Sequence, residues 1–188
     1  MGPGSACPTD QSAYNGAVGS KQSGDRMIHE QVDFLQHLIG TWEGFGHAEY
    51  PTIAPTRYRE VLIFRVHPDK PMLQVEQKTW RQHTDLSESL LHWEFGFMRQ
   101  ADEAHYDWTN TQNNGRIEVM RGHFGLNGQQ VIGDFSTETF ANDPRMIEAT
   151  RRLVLDGDQL RYTLSMATNA HPSLRIHLEG DLRRTISP

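Results

Sequence analysis

Residues 40–53, GTWEGFGHAEYPTI, set glycines at 40, 44 and 46 around Trp42 and close on Tyr50-Pro51-Thr52-Ile53. Glycine inside a strand weakens it and packs nothing, so it marks either a tight bend or a place where something bulky lies against the backbone. The stretch therefore reads as the opening strand of a sheet that has to curve, be approached closely, or both.

Beyond it the hydrophobic period is two and stays two. Runs at 58–64, 72–80, 90–98, 104–110, 116–123, 130–138, 146–155, 159–166 and 174–184 alternate as strands do, and Asn127-Gly128 and Asp156-Gly157 are hairpin signals between such runs. With the opening stretch this makes about ten strands, with no strand–helix alternation of the kind that builds parallel sheets. The expected fold is all-β, a roughly ten-stranded antiparallel up-and-down β-barrel. Closure removes the exposed edges, and a barrel of that size encloses a ligand cavity. Ahead of the strands, Ile28, Val32, Leu35 and Ile39 fall at helical spacing with Phe34 and Leu38 beside them. That predicts a short N-terminal helix over 28–39, placed to plug one end.

The 188 residues suit one domain, and the apolar share of 36%, about 45% once the 16 glycines are counted, sits at the low edge for a globular chain. Much of the shortfall lies in residues 1–26, which are small and polar and read as a disordered tail, with MGPGS at its front an expression scar. The folded unit is expected over 27–188. A net charge of −6 argues against nucleic acid as a partner, which demands a concentrated basic face. No apolar run reaches the ~20 residues of a membrane span, and the tail lacks a signal-peptide centre, so a cytoplasmic location is the expectation. The single Cys7 lies in the tail and leaves no internal disulfide or cysteine-based metal site.

Ten histidines stand at 29, 37, 47, 67, 83, 92, 105, 123, 171 and 177, but none forms an HExxH pair, and no GxSxG elbow occurs. Taken singly, each is best read as exposed or as a hydrogen-bonded structural histidine. The pairs Glu148/Arg151 and Glu60/Arg59 read as solvated surface charge.

The motif Gly40-x-Trp42-x-Gly44-x-Gly46, with Tyr50-Pro51-Thr52-Ile53 and Tyr58-Arg59-Glu60, resembles the signature of the nitrobindin family of haem-binding β-barrels. Gln77-Lys78-Thr79-Trp80, Leu91-His92-x-Glu94-x-Gly96-Phe97-x-Arg99 and Gln112-x-x-Gly115-x-x-Glu118-Val119 extend the likeness, as do Met166-Ala167-Thr168 and His177-Leu178. The resemblance implies one haem b per chain, with His177 as proximal axial ligand to the iron. Thr52, His92, Gln112 and Met166 would line the haem pocket, and Arg145 would pair with a propionate. It implies nitric oxide binding and isomerisation of peroxynitrite to nitrate, with His177 as the catalytic residue. Haem, nitric oxide and peroxynitrite would be the partners, a homodimer being left open.

The residues themselves leave alternatives. On strict alternation His177 shares a polar face with Glu179 and Asp181, opposite Ile176, Leu178 and Leu182, which would put it on the outer surface. His92 likewise shares a side with Glu94, opposite Trp93, Phe95 and Phe97. The family's proline before the ligand is replaced by Ile176, and the loop at 169–174 carries an extra residue, so His171 competes as ligand. Met166 also reads as core filler, Arg145 as exposed turn charge and Gln112 as a turn residue. The rival function is a non-catalytic carrier of an apolar small molecule, like a lipocalin or fatty-acid-binding protein.

Overall fold

A computed structural model describes residues 34–67 and 69–185. The expected tail, its scar, Cys7 and helix residues 28–33 lie outside the described residues. Residues 34–38 form the helical turn that the spacing predicts there. Leu35 and Leu38 bury against Trp42, whose indole N–H donates to the Leu38 carbonyl at 2.8 Å, and Phe34 stacks on Phe124. The turn closes one end of the molecule.

Ten strands follow: β1 (Gly40–Tyr50), β2 (Ile53–His67), β3 (Lys70–Gln82), β4 (Glu88–Gln100), β5 (Tyr106–Gln112), β6 (Ile117–Asn127), β7 (Gln130–Ala141), β8 (Met146–Asp156), β9 (Gln159–Thr168) and β10 (His171–Thr185). Each pairs antiparallel with its sequence neighbour, and β10 pairs with β1 to close the barrel. The expected architecture is the one observed, with most strands longer than their apolar runs because rim residues pair beyond the core. At the two predicted hairpins the glycine is the first loop residue, Gly128 with φ 63° and Gly157 with φ 57°, a conformation that glycine alone adopts without strain. Among the described residues no helix is long and apolar enough to cross a membrane.

The interior is layered. At the helix end the inward residues are apolar: Trp42, Phe64, Leu73, Met98, Phe124, Leu155 and Leu182. One or two rows further along they turn polar, with Glu60, Gln77, Glu94, Asn110, Glu118 and Arg151 all buried. Two expectations are thereby corrected. Glu60 and Arg151 are not solvated surface charge: Glu60 bonds Tyr162 and Gln77, and Arg151 grips Glu94 through both terminal nitrogens at 2.6 and 2.7 Å. On β4 the alternation is inverted. Glu94 is 2% exposed, while Trp93, Phe95 and Phe97 face outward at 43%, 40% and 43%. The interior already holds Arg151, and a buried guanidinium requires a carboxylate more than the core requires another ring.

The glycines of the opening strand answer to close approach. A Cβ on Gly44 would stand 2.2 Å from the Asp181 carbonyl oxygen on β10, and one on Gly46 would meet the Tyr58 ring at 2.2 Å.

Candidate functional site

Between the polar belt and the open end lies a cavity of about 530 Å³, within the range of cofactor and small-molecule sites. All of Thr52, His92, Gln112, Arg145, Met166 and His177 line it. They come from six places: the β1–β2 turn, β4, β5, the β7–β8 loop, β9 and β10. His171 is not among the lining residues. It lies on one edge of the buried Tyr50 ring, 5.7 Å between centroids, while His177 sits edge-on to the same ring at 5.5 Å.

His177 reaches the cavity because β10 breaks its alternation. Ile176 pairs with Ser165 and Leu178 with Leu164, so β10 supplies one more residue than β9 across this step, and His177 is the extra one. Such a bulge re-aims a side chain, and here both His177 and Leu178 line the cavity while Ile176 stays outside. The surface position that strict alternation predicts is thus overturned. The ladder between β1 and β10 ends at Ala48 and Leu178. The next carbonyl, that of Glu49, accepts a hydrogen bond from His177 Nδ1 at 3.2 Å. A carbonyl only accepts, so the proton sits on Nδ1 and Nε2 keeps its lone pair. Burial lowers the His177 pKa below the usual imidazole value, and the Arg116 and His92 charges act the same way against the Glu49 bond. The ring is therefore neutral at neutral pH.

His92 is held from below. Its Nε2 lies 3.2 Å from Glu94 Oε2, and Glu94 is in turn clamped by Arg151. Burial alone would raise the Glu94 carboxyl, but the Arg151 guanidinium and His92 hold it well below the usual carboxylate range. Arg151 also lies 3.5 Å from Glu118, which accepts from Asn110 and Thr137. Gln112 donates to Asn110 at 3.2 Å, fixing its amide in the wall. Arg145 is largely solvent-exposed and donates to both oxygens of Asp143 at 2.8 and 3.0 Å. Met166 lines the wall beside Leu164.

Sequence reasoning passes over Tyr50, Tyr58, Glu94, Arg116 and Arg151, all of which line the cavity. One signal for Arg151 is present. Arg151 and Arg152 are adjacent on a strand, and successive side chains point to opposite faces, so one of the two has to enter the barrel. Nothing comparable marks Arg116, which stands just before β6 in a turn.

A neutral histidine with a free Nε2, in a cavity whose walls include Ile53, Leu91, Leu164, Met166 and Leu178, fits the binding of a flat apolar group carrying a metal that accepts imidazole nitrogen. Comparison with known proteins agrees. Peroxynitrite isomerase Rv2717c of Arabidopsis thaliana is 32% identical over 155 residues, 82% of this chain and 89% of that protein. Peroxynitrite isomerase 2 of Mycobacterium marinum is 34% identical over 160 residues, 84% of this chain and 96% of its own. The crystal structure of Rv2717c from M. tuberculosis superimposes with a TM-score of 0.76 at 28% identity, covering 83% of this chain and 98% of that one. Residues 31–184 match the family described as the THAP4-like, heme-binding beta-barrel domain. The chain belongs to that family, the nitrobindin-type haem-binding β-barrels.

Proposed function

We propose that the protein holds one haem b in this cavity through His177 Nε2, binds nitric oxide at the open face and isomerises peroxynitrite to nitrate in the cytoplasm. The observation that carries the reading is the β10 bulge. It turns His177 inward against the alternation of its strand and commits Nδ1 to the Glu49 carbonyl. When bound, ferric haem would supply a Lewis-acidic iron. The chain does the rest. The Glu49 carbonyl orients the imidazole, as the partner of a ligating histidine does elsewhere. Leu91, Leu164 and Met166 exclude water, and His92, tethered by Glu94, presents a polar edge inside the cavity. The relatives named peroxynitrite isomerase support the reaction assigned.

Haemin titration followed at the Soret band tests ligation, comparing the native chain with His177→Ala. Loss of affinity in the variant is expected, and equal affinity would sink the assignment. Rapid mixing of the loaded protein with peroxynitrite should then accelerate its decay with nitrate as the product. A second reading, carriage of an apolar carboxylic acid without catalysis, is favoured by one feature, the under-partnered Arg116 in the cavity wall.

A further inference from the structure

Arg116 stands at the end of the β5–β6 turn and is tied down on both sides. Its N–H donates to Asn114 Oδ1 at 2.9 Å, and its carbonyl accepts from the Gln112 N–H at 2.9 Å. From this fixed base the side chain runs into the cavity wall and is only 14% exposed. The guanidinium has found few partners there, its Cζ lying 5.9 Å from the Phe140 ring centroid. Among the described residues its one hydrogen bond is from Nη1 to the Met146 sulfur at 3.1 Å, a weak acceptor. Its Nε is buried with no partner among the described residues. The nearest carboxylate oxygen, on Asp143, is 4.0 Å away and already gripped by Arg145 at 2.8 and 3.0 Å.

Burial lowers the pKa of Arg116 and the Arg151 charge acts the same way, against Glu118, Asp143 and Glu94. Leaving a buried guanidinium short of acceptors is costly unless a ligand brings one. The belt below takes the opposite course, with Arg151 bonded to Glu94 through both terminal nitrogens.

We propose that Arg116 is the carboxylate anchor of this cavity, so that the ligand admitted is an apolar body bearing a carboxylate at its edge. Asp143 occupies Arg145, which leaves Arg116 as the less committed of the two cations at this rim. Two ligands share the required chemistry: a haem, through a propionate, and a free long-chain carboxylic acid. The haem arm rests on the function proposed above, whereas the free-acid arm does not.

The test uses the full chain and two variants, Arg116→Met, which keeps length and apolar volume, and Arg116→Lys, which restores charge without the fork. In the first arm haemin and haemin dimethyl ester, whose propionates are capped, are titrated at the Soret band. In the second, dodecanoate and dodecanol compete with Nile red for the haem-free protein. Arg116→Met should weaken haemin, dodecanoate or both by about 10-fold or more, with Arg116→Lys recovering part of the loss. Ester and alcohol should stay within about two-fold of the native chain, which a merely structural role for Arg116 would not spare. If the native chain ignores haemin but binds dodecanoate in an Arg116-dependent way, the haem reading fails and the anchor stands. Equal binding of both carboxylates by Arg116→Met overturns the anchor, as do parallel losses for capped and free ligands or failure of the native chain to bind either carboxylate.

Discussion

The hydroxyls of Tyr58 and Tyr162 lie 2.9 Å apart inside the barrel, above two glycines that face each other across the closing seam. Tyr58 on β2 pairs with Gly46 on β1, Gly46 pairs with Gly180 on β10, and Gly180 pairs with Tyr162 on β9. Each ring leans over its neighbouring glycine, so the two tyrosines bridge the seam that joins first strand to last. Tyr162 then donates to Glu60 at 2.7 Å, while Gln77 donates to Tyr162 at 3.0 Å and to Glu60. Tyr58 borders the cavity, so the seam and the cavity floor are one hydrogen-bonded structure.

Adding a methyl group at the seam should therefore destabilise the barrel. Gly46→Ala and Gly180→Ala each place a carbon 2.2 Å from a buried tyrosine ring, and an overpacked core site costs about 1–3 kcal/mol or more. Gly44→Ala should cost more still, because the obstacle is the Asp181 backbone and no rotamer change relieves it. Gly125→Ala, where a Cβ meets nothing within 4 Å among the described residues, is the control and should stay within about 0.5 kcal/mol. Urea denaturation of the variants measures all of these, and equal midpoints for Gly46→Ala and the native chain would refute the close-packed seam.

Breaking the buried pair on one side should be worse than removing both partners. Glu94→Gln or Arg151→Met alone should cost about 3–5 kcal/mol, and the two combined less than the sum. Arg151→Met is expected to be the more damaging single change, since it strands Glu118 as well as Glu94. A double-mutant cycle on denaturation free energies reads the coupling; strict additivity would show that the pair is not acting as one.

Glu60 should give stability an unusual slope with pH. Burial pushes its carboxyl from an ordinary 4.5 up to about 7, against the Tyr162 and Gln77 bonds, with Glu94 adding to the rise. Between those values the folded state holds a proton that the unfolded chain has lost. Its contribution is thus full at pH below the ordinary carboxyl value, falls as pH climbs towards 7, and stays low above it. Glu60→Gln should flatten this slope, gaining about 1–3 kcal/mol on the native chain between pH 5 and 8. Denaturation midpoints at the two pH values check it, and parallel profiles would contradict the buried neutral acid.

Removing the bulge should act like removing the histidine. Deleting Ile176 restores simple alternation, which returns His177 to the outer face while Leu178 keeps its place opposite Leu164. Haemin affinity should then fall at least as far as the ~10–100-fold typical of disturbing a ligand's supporting partner, with the strand circular dichroism unchanged. A deletion variant that binds haemin as tightly as the native chain would show that the bulge does not position the ligand.

Much of the fold was legible because a half-buried strand writes itself as period two. The ten runs, the hairpin glycines and the apolar residues at the helix end all follow from local rules. The cavity residues were legible only through motif likeness. Thr52, His92, Gln112, Arg145, Met166 and His177 are scattered over more than 120 residues of chain, and no spacing relates them. Where local rules were applied to them directly, they failed in two places for physical reasons. On β4, Glu94 goes inward because Arg151, 57 residues later, waits there. On β10, His177 goes inward because the chain inserts one extra residue opposite β9, a register event that no single-strand pattern reveals.

By itself, then, the sequence determined the class of structure: the number of strands, their order as a meander and the glycines that let the seam close. These depend on backbone conformation and on burying one face of each strand, both local quantities. The tertiary structure decided which charges face inward, which of two nearby histidines enters the cavity and which arginine is left short of a partner. Those are settled by electrostatic and hydrogen-bond partners on distant strands, which become neighbours only when the barrel closes.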